Sequence, residues 1–282
     1  MEVPMRTRRS AVLAVALLLL AGACSKKDEA SPASEPVASL VGSDVAALAK
    51  SARLVAPDKL TVCSDIPYAP FEFNDRSGGD QLTGFDVELV RALAAQLMLT
   101  AEFKTTPFDA IIPSLAAGNC DMVASATTIT AERKKKVAFT QPYFDADQAL
   151  LVRAADQERY PRLSGLKGKT IGVQSGTTGE TYAKANKPAG ATVKDFPGAD
   201  DLFNALASGD IDAVLQDFPV NKYRALKAPD QFAVTETFKT GEQYGFAVAM
   251  DNPNLLAALD AALASVRQSG DYDKTYKAWF GD

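Results

Sequence analysis

The sequence predicts an α/β protein made of two similar halves, each a mostly parallel β-sheet flanked by helices. Three observations predict it. From residue 59 onward short apolar strands alternate with amphipathic helices, an order that gives a sheet covered on both faces. From Thr170 the alternation starts again. Finally, Ile111–Val123 matches Leu202–Val214 without a gap at an offset of 91 residues, repeating Leu, Ala, Gly, Asp and Val.

Each element has a local reason. Leu60–Ser64 is a short apolar strand. Gly84-Phe85-Asp86 opens a helix with its carboxylate near the positive end of the dipole. Leu89, Leu93 and Leu97 then recur every four residues, with Val90 and Ala94 beside them, as one buried stripe. Strands are expected at Ala101–Lys104 and Asp121–Ala126, around a helix at Phe108–Ala116. The second half places strands at Thr170–Gln174, Thr192–Asp195 and Asp212–Leu215, with helices at Thr177–Ala185 and Ala199–Ala207. Within the repeat, Leu115 and Leu206 pack a helix on its sheet, and Gly118 and Gly209 end that helix in a left-handed conformation. Asp121 and Asp212 stand where the next strand begins. The same offset makes Ala126 and Asp217 equivalent strand ends. Parallel α/β sheets bind ligands beyond the carboxyl ends of their strands, so two halves facing across a cleft bring these ends together.

Composition narrows the function. Of 282 residues, 47% are hydrophobic and 23% charged, which excludes wholesale disorder and a polytopic membrane protein. A net charge of −5 argues against nucleic acid as a partner. The chain has no histidine, which removes Ser-His-Asp, Cys-His and His-metal chemistry together.

The N-terminal residues read as an address. Arg6, Arg8 and Arg9 precede an uncharged run from Ala11 to Ala23. That run is short of the roughly 20 residues a spanning helix needs, and its flanks suit a secretory signal over residues 1–23. Leu20-Ala21-Gly22-Ala23-Cys24 resembles a bacterial lipobox, in which the Cys is lipidated, although Leu stands one position further from Cys24 than is usual. The alternative is cleavage after Ala23 and a free thiol. Residues 24–58, rich in Ser, Ala, Pro and charge, then read as a mostly disordered lipidated tether with a weak helix around Val45–Leu54. The protein is expected on the outer face of a membrane, in the periplasm or at the cell surface. There Cys63 and Cys120 either form a disulfide, closing a loop of about 57 residues for roughly 4 kcal/mol, or stay two buried thiols.

Four loops fall at the expected strand ends. Ser64–Phe71 offers Asp65 and Tyr68; Thr127–Arg133 offers hydroxyls, N–H groups and a guanidinium. Gln174–Thr178 turns on a Gly into a helix N-terminus, which favours anions, and Gln216–Pro219 carries Asp217. Two anion-binding devices and a facing carboxylate suit a zwitterion, with Arg133 and the helix terminus on its carboxylate and Asp217 on its ammonium. Gly165–Thr170 is like the tail of a phosphate-binding loop but runs into a strand instead of out of one, and its first Gly position is Leu163. Asp145 and Asp147 lack further oxygen ligands nearby. No nucleotide, metal or other cofactor is expected.

The motifs Leu60–Phe73 (LTVCSDIPYAPFEF), Gly84–Leu89 (GFDVEL), Ala124–Lys135 (ASATTITAERKK), Gln141–Phe144 (QPYF), Gly168–Thr178 (GKTIGVQSGTT), Asp212–Pro219 (DAVLQDFP) and Tyr272–Gly281 (YDKTYKAWFG) stand in this order. Together they resemble the polar-amino-acid solute-binding proteins of bacterial ABC importers over about residues 59–282. The resemblance implies a two-lobed periplasmic-binding-protein-like fold. Lobe 1 comprises 59–145 and 246–282, lobe 2 comprises 146–245, and the hinge strands are Gln141–Asp147 and Gln243–Phe246. It also implies roles. Arg133 and the Thr178 N–H bind the ligand α-carboxylate, and Thr128 contributes hydroxyl and backbone contacts. Asp217 and the Ala126 carbonyl take the ammonium. Tyr68 and Phe108 sandwich the ligand side chain, and Asp65 and Gln174 line its far end. Asp65 beside an aromatic pair suits lysine, arginine or ornithine, and Gln174 suits glutamine next. The implied protein is a monomeric, non-enzymatic partner of a membrane permease. The rivals are a cyclohexadienyl-type dehydratase on the same architecture and a ligand sensor for a membrane receptor.

Overall fold

The computed structural model describes residues 42–75 and 79–281. The expected signal, Cys24 and the start of the tether lie outside the described residues. In the described part of that segment the helix expected around Val45–Leu54 is present, at Gly42–Ser51, and it is packed against the body. Helix α1, Gly42–Ser51, buries Val45 and Ala49, with Leu48 packed beside them. These residues sit at i, i+3 and i+4 and so form one apolar face. Asn252 then holds the following turn from both sides, accepting the Arg53 N–H and donating to the Arg53 carbonyl at 2.8 Å. Asp121 accepts the Val55 N–H at 2.7 Å.

Strand β1 (Lys59–Ser64) leads through a small hairpin, β2 (Phe73–Asp75) and β3 (Gln81–Thr83), to helix α2 (Phe85–Gln96). Gly84 is required at that junction: its φ is +128°, and a Cβ there would meet the Phe71 carbonyl oxygen at 2.1 Å. Strand β4 (Thr100–Thr105), helix α3 (Phe108–Ala116) and strand β5 (Met122–Val123) follow, and β1 pairs in parallel with both β4 and β5. The strand expected over Asp121–Ala126 is paired as a strand only at Met122–Val123. The chain leaves the sheet because Ala126 adopts φ +41° and its N–H bonds a side chain instead of a strand. A disulfide joins Cys63 to Cys120, whose Cα atoms are 5.8 Å apart.

After helix α4 (Ala131–Lys134) and strand β6 (Ala138–Phe139), the ten-residue strand β7 (Phe144–Arg153) carries the chain to a second sheet. There β8 (Thr170–Gln174), α5 (Thr178–Asn186), β9 (Thr192–Phe196), α6 (Ala199–Ser208) and β10 (Ala213–Asp217) repeat the first half, with β8 parallel to both β9 and β10. Helix α7 (Phe218–Lys227) precedes β11 (Phe232–Tyr244), which pairs antiparallel with β7 and returns the chain to the first sheet at β12 (Ala247–Val248). Helices α8 (Pro253–Gln268) and α9 (Asp271–Phe280) close the sequence of elements.

The sheet orders are β4-β1-β5-β12-β6 and β11-β7-β10-β8-β9. Each has a parallel core of three strands; the antiparallel strands are the crossing pair β7 and β11 in one sheet and β12 and β6 in the other. The internal repeat is physical. Gly118 and Gly209 both have positive φ, at +75° and +87°. Asp121 gives its N–H to the Thr61 carbonyl and accepts the Thr61 N–H on its side chain at 2.7 Å. Asp212 makes the same pair of bonds to Thr170, with the side-chain contact at 2.9 Å. Each aspartate thus fastens the middle strand of its sheet's three-stranded parallel core, β1 or β8, near where that strand begins.

The two crossings lie side by side. Phe144 pairs with Tyr244 and Ala146 with Glu242, while the end of β11 also pairs with the loop that carries Thr128. Aromatic stacking fills the junction: Tyr143 lies on Phe246 at 4.2 Å between ring centres, and Phe144 on Tyr244 at 5.5 Å.

Candidate ligand-binding site

The loops after β1, β5, β8 and β10 converge on one enclosed cavity of about 230 Å³, of which about 10 Å³ admits the centre of a water molecule. Its walls are Tyr68, Phe108, Ala126, Thr128, Arg133, Gln174, Thr177, Thr178 and Asp217. Eight of the nine residues expected to contact a ligand are therefore brought together. The ninth, Asp65, is not in the wall and reaches it through Gln174, whose amide donates to the Asp65 carboxylate at 2.5 Å. So little free space means that entry of a solute requires the walls to part.

Arg133 sits on α4, whose first turn is capped by the Thr130 hydroxyl accepting the Arg133 N–H at 3.1 Å. Its guanidinium lies over the Phe108 ring, 5.1 Å from the centre. One nitrogen donates to the Thr128 carbonyl at 2.8 Å, and the other crosses to the Gly176 carbonyl at 3.1 Å. Burial draws this guanidinium below its usual pKa, while Asp217 and Glu242 oppose the shift. It is the one cation among the described residues that line the cavity.

Asp217 ends β10 and faces Arg133 from the second sheet. Its carboxylate accepts from three donors: the Tyr68 hydroxyl at 2.9 Å, the Tyr244 hydroxyl at 2.6 Å and the Gln148 amide at 2.5 Å. Burial pushes its pKa up to about 6, against the pull of Tyr244. Asp65 also rises to about 6, chiefly by burial, with Gln174 opposing and Asp109 adding. Thr178 opens α5, so its N–H has no acceptor within the helix, and the Thr177 hydroxyl caps the same end by accepting the Glu180 N–H at 3.0 Å.

Beneath the first-sheet loops lies an acidic layer that sequence reasoning missed. Asp86 was expected to act on the helix dipole. It does stand in the first turn of α2, but fully buried, where it accepts the Ala126 N–H at 2.9 Å and the Tyr143 hydroxyl at 2.7 Å. Glu72, equally buried, accepts the Ser125 hydroxyl at 2.5 Å. Burial raises both carboxyls, Asp86 to about 7 and Glu72 well above the ordinary range, and Asp86 adds to the rise of Glu72. Together they fix Ser125 and Ala126, and with them the left-handed turn that forms part of the cavity wall. Gln148 and Glu242 were also missed. Gln148 is a fully buried amide in an apolar strand, a signal that was available. Glu242 lies one residue before the expected hinge segment.

Fold and site together define a two-lobed α/β binding protein, with an enclosed polar cavity between its sheets and one cation facing carboxylates across it. The chain belongs to the bacterial extracellular solute-binding proteins, family 3, whose model matches residues 60–282. It is 33% identical over 249 residues to the lysine/arginine/ornithine-binding periplasmic protein of Escherichia coli strain K12, covering 86% of this chain and 94% of that one. Among solved structures it resembles an ancestral arginine-binding protein bound to glutamine, at TM-score 0.76 and 40% identity, covering 80% of this chain and all of that one. It also resembles an ancestral amino acid-binding protein that is a precursor of cyclohexadienyl dehydratase, at TM-score 0.75 and 37% identity, covering 84% and 99%.

Proposed function

We propose that the protein captures a cationic amino acid of the lysine, arginine and ornithine class, with glutamine the next choice, and delivers it to the permease of an ABC importer. The observation that carries this reading is the cavity in which Arg133 and Asp217 face one another from different sheets. Arg133 and the Thr178 N–H take the α-carboxylate, and Asp217 with the Ala126 carbonyl takes the ammonium. Tyr68 and Phe108 flank the side chain; Gln174 and Asp65 meet its end. Asp217 and Glu242 both act on the one guanidinium, and Asp65 stands behind Gln174 at the other end, an excess of negative charge that favours a ligand of net positive charge.

The closing bodies are residues 59–145 with 246–282, extended by α1, and residues 146–245. A zwitterion bonded to both sides stabilises only the closed form, so binding shifts an open–closed equilibrium that the permease reads. Cys24 carries the lipid that holds the monomer on the outer membrane face. The similarity to a dehydratase precursor keeps an enzyme as the rival reading. Asp217, held by three donors, suits a charge partner better than a proton donor.

A thermal-shift screen of the twenty amino acids tests this. A ligand at about a thousand times its Kd adds about 4 kcal/mol, roughly 10 °C for a chain of this size. L-Arginine, L-lysine or L-ornithine is expected to give the largest rise. No rise with any amino acid, or turnover of arogenate or prephenate, overturns the reading.

A further inference from the structure

One oxygen of Glu242 gathers three donors. It accepts from the Thr178 hydroxyl at 2.7 Å, the Thr128 hydroxyl at 3.0 Å and the Gln148 amide at 3.2 Å. These partners come from different places: Thr128 from the loop after β5, Thr178 from the start of α5, Gln148 from the crossing strand β7. Glu242 itself stands on the other crossing strand, β11. Thr128 and Thr178 line the cavity and the outer clefts beside it, whereas Glu242 lines the clefts alone.

A carboxylate has no proton to give, so each hydroxyl must spend its single proton on Glu242. What each has left is acceptor capacity, of which Thr178 gives part to the Gln148 amide at 3.3 Å. The two oxygens lie 3.4 Å apart, close enough to serve one donor group together. We propose that Glu242 is a positioning residue that sets the polarity of Thr128 and Thr178, making both hydroxyls acceptors for the ligand's ammonium. Thr178 is thereby divided: its N–H serves an anion and its hydroxyl oxygen serves a cation. Because the bonds join both sheets and both crossings, Glu242 makes this arrangement only when the lobes are together. This inference rests on the amino-acid reading above and deepens it.

The test compares L-arginine with 5-guanidinopentanoate, which keeps the carboxylate and guanidinium and lacks only the ammonium. Titration calorimetry is run on the wild type, Glu242→Gln and Thr128→Val, with melting curves to show that each variant is folded. If the wild type prefers glutamine, L-glutamine and its des-amino counterpart replace the pair. Glu242→Gln is expected to lose about tenfold or more in affinity for the amino acid and less than about twofold for the des-amino acid, and Thr128→Val to follow the same pattern. A merely structural role would weaken both ligands alike. An unchanged ratio of the two affinities in both variants overturns the inference and leaves the functional reading standing. A wild type that binds none of the twenty amino acids overturns the functional reading itself.

Discussion

Arg133→Ala is expected to weaken amino-acid binding by between about a hundredfold and a few thousandfold. Removing one partner of a buried ion pair costs about 3–5 kcal/mol, because the other charge stays desolvated and unpaired. No neighbour takes over, since Arg133 is the one cation among the described residues of the cavity wall. Arg133→Lys is expected to recover only part of the loss. An ammonium restores charge but cannot donate in parallel to a carboxylate while also reaching the Thr128 and Gly176 carbonyls that now anchor the guanidinium. Melting curves separate this from unfolding, because the side chain is half-buried at the cleft and leaves the cores of both sheets untouched. Calorimetry showing near wild-type affinity for Arg133→Ala would remove this residue from the site.

What the sequence made legible was what local spacing controls. The Leu89–Leu93–Leu97 stripe and the left-handed Gly118 and Gly209 depend on neighbours close in the chain, and Asp121 and Asp212 were legible as the starts of their strands, though not for the bonds they make to Thr61 and Thr170. Recurring at a fixed offset, they also disclosed the repeat and the strand ends that face the cavity. The missed residues depend on neighbours far away. Glu242 looks like any polar residue of a long strand; only the antiparallel register of β7 and β11 brings it near Gln148. Asp86 has the spacing of an acid at a helix start, and that signature is identical whether the carboxyl meets solvent or the Ala126 N–H. A weak helix was expected around Val45–Leu54, but not its packing: composition there matches a tether, whereas the turn after α1 is held by Asn252 and Asp121, 199 and 66 residues further along.

Asp217 gives the second large effect, and it carries opposite signs in stability and in affinity. In the folded chain burial holds its pKa at about 6, above the ordinary aspartate value of 3.8. A raised acid favours the folded state while protonated, so that contribution is present below about pH 4 and lost as pH rises through about 6, for about 3 kcal/mol in all. Without ligand, the melting temperature therefore falls between pH 4.5 and 7. Binding runs the other way. An ammonium beside Asp217 favours its ionised form, so below about pH 6 the ligand must displace a proton. Affinity is expected to drop about tenfold from pH 7 to pH 5. The groups around this carboxyl are Tyr68, Tyr244, Gln148, Glu242 and Arg133, and neither tyrosine changes charge in this range because burial raises both. Asp65 titrates near the same pH, so the wild-type slope alone does not identify Asp217. Asp217→Asn does. It removes the charge from the ammonium site and sets an amide against the Gln148 donor, so affinity at pH 7 falls by about a hundredfold or more, and the share of the pH dependence that belongs to Asp217 goes with it, leaving that of Asp65. If the variant kept the wild-type slope between pH 5 and 7, the ammonium would lie elsewhere, and Arg133 and Asp217 would face one another across the cavity without sharing a ligand.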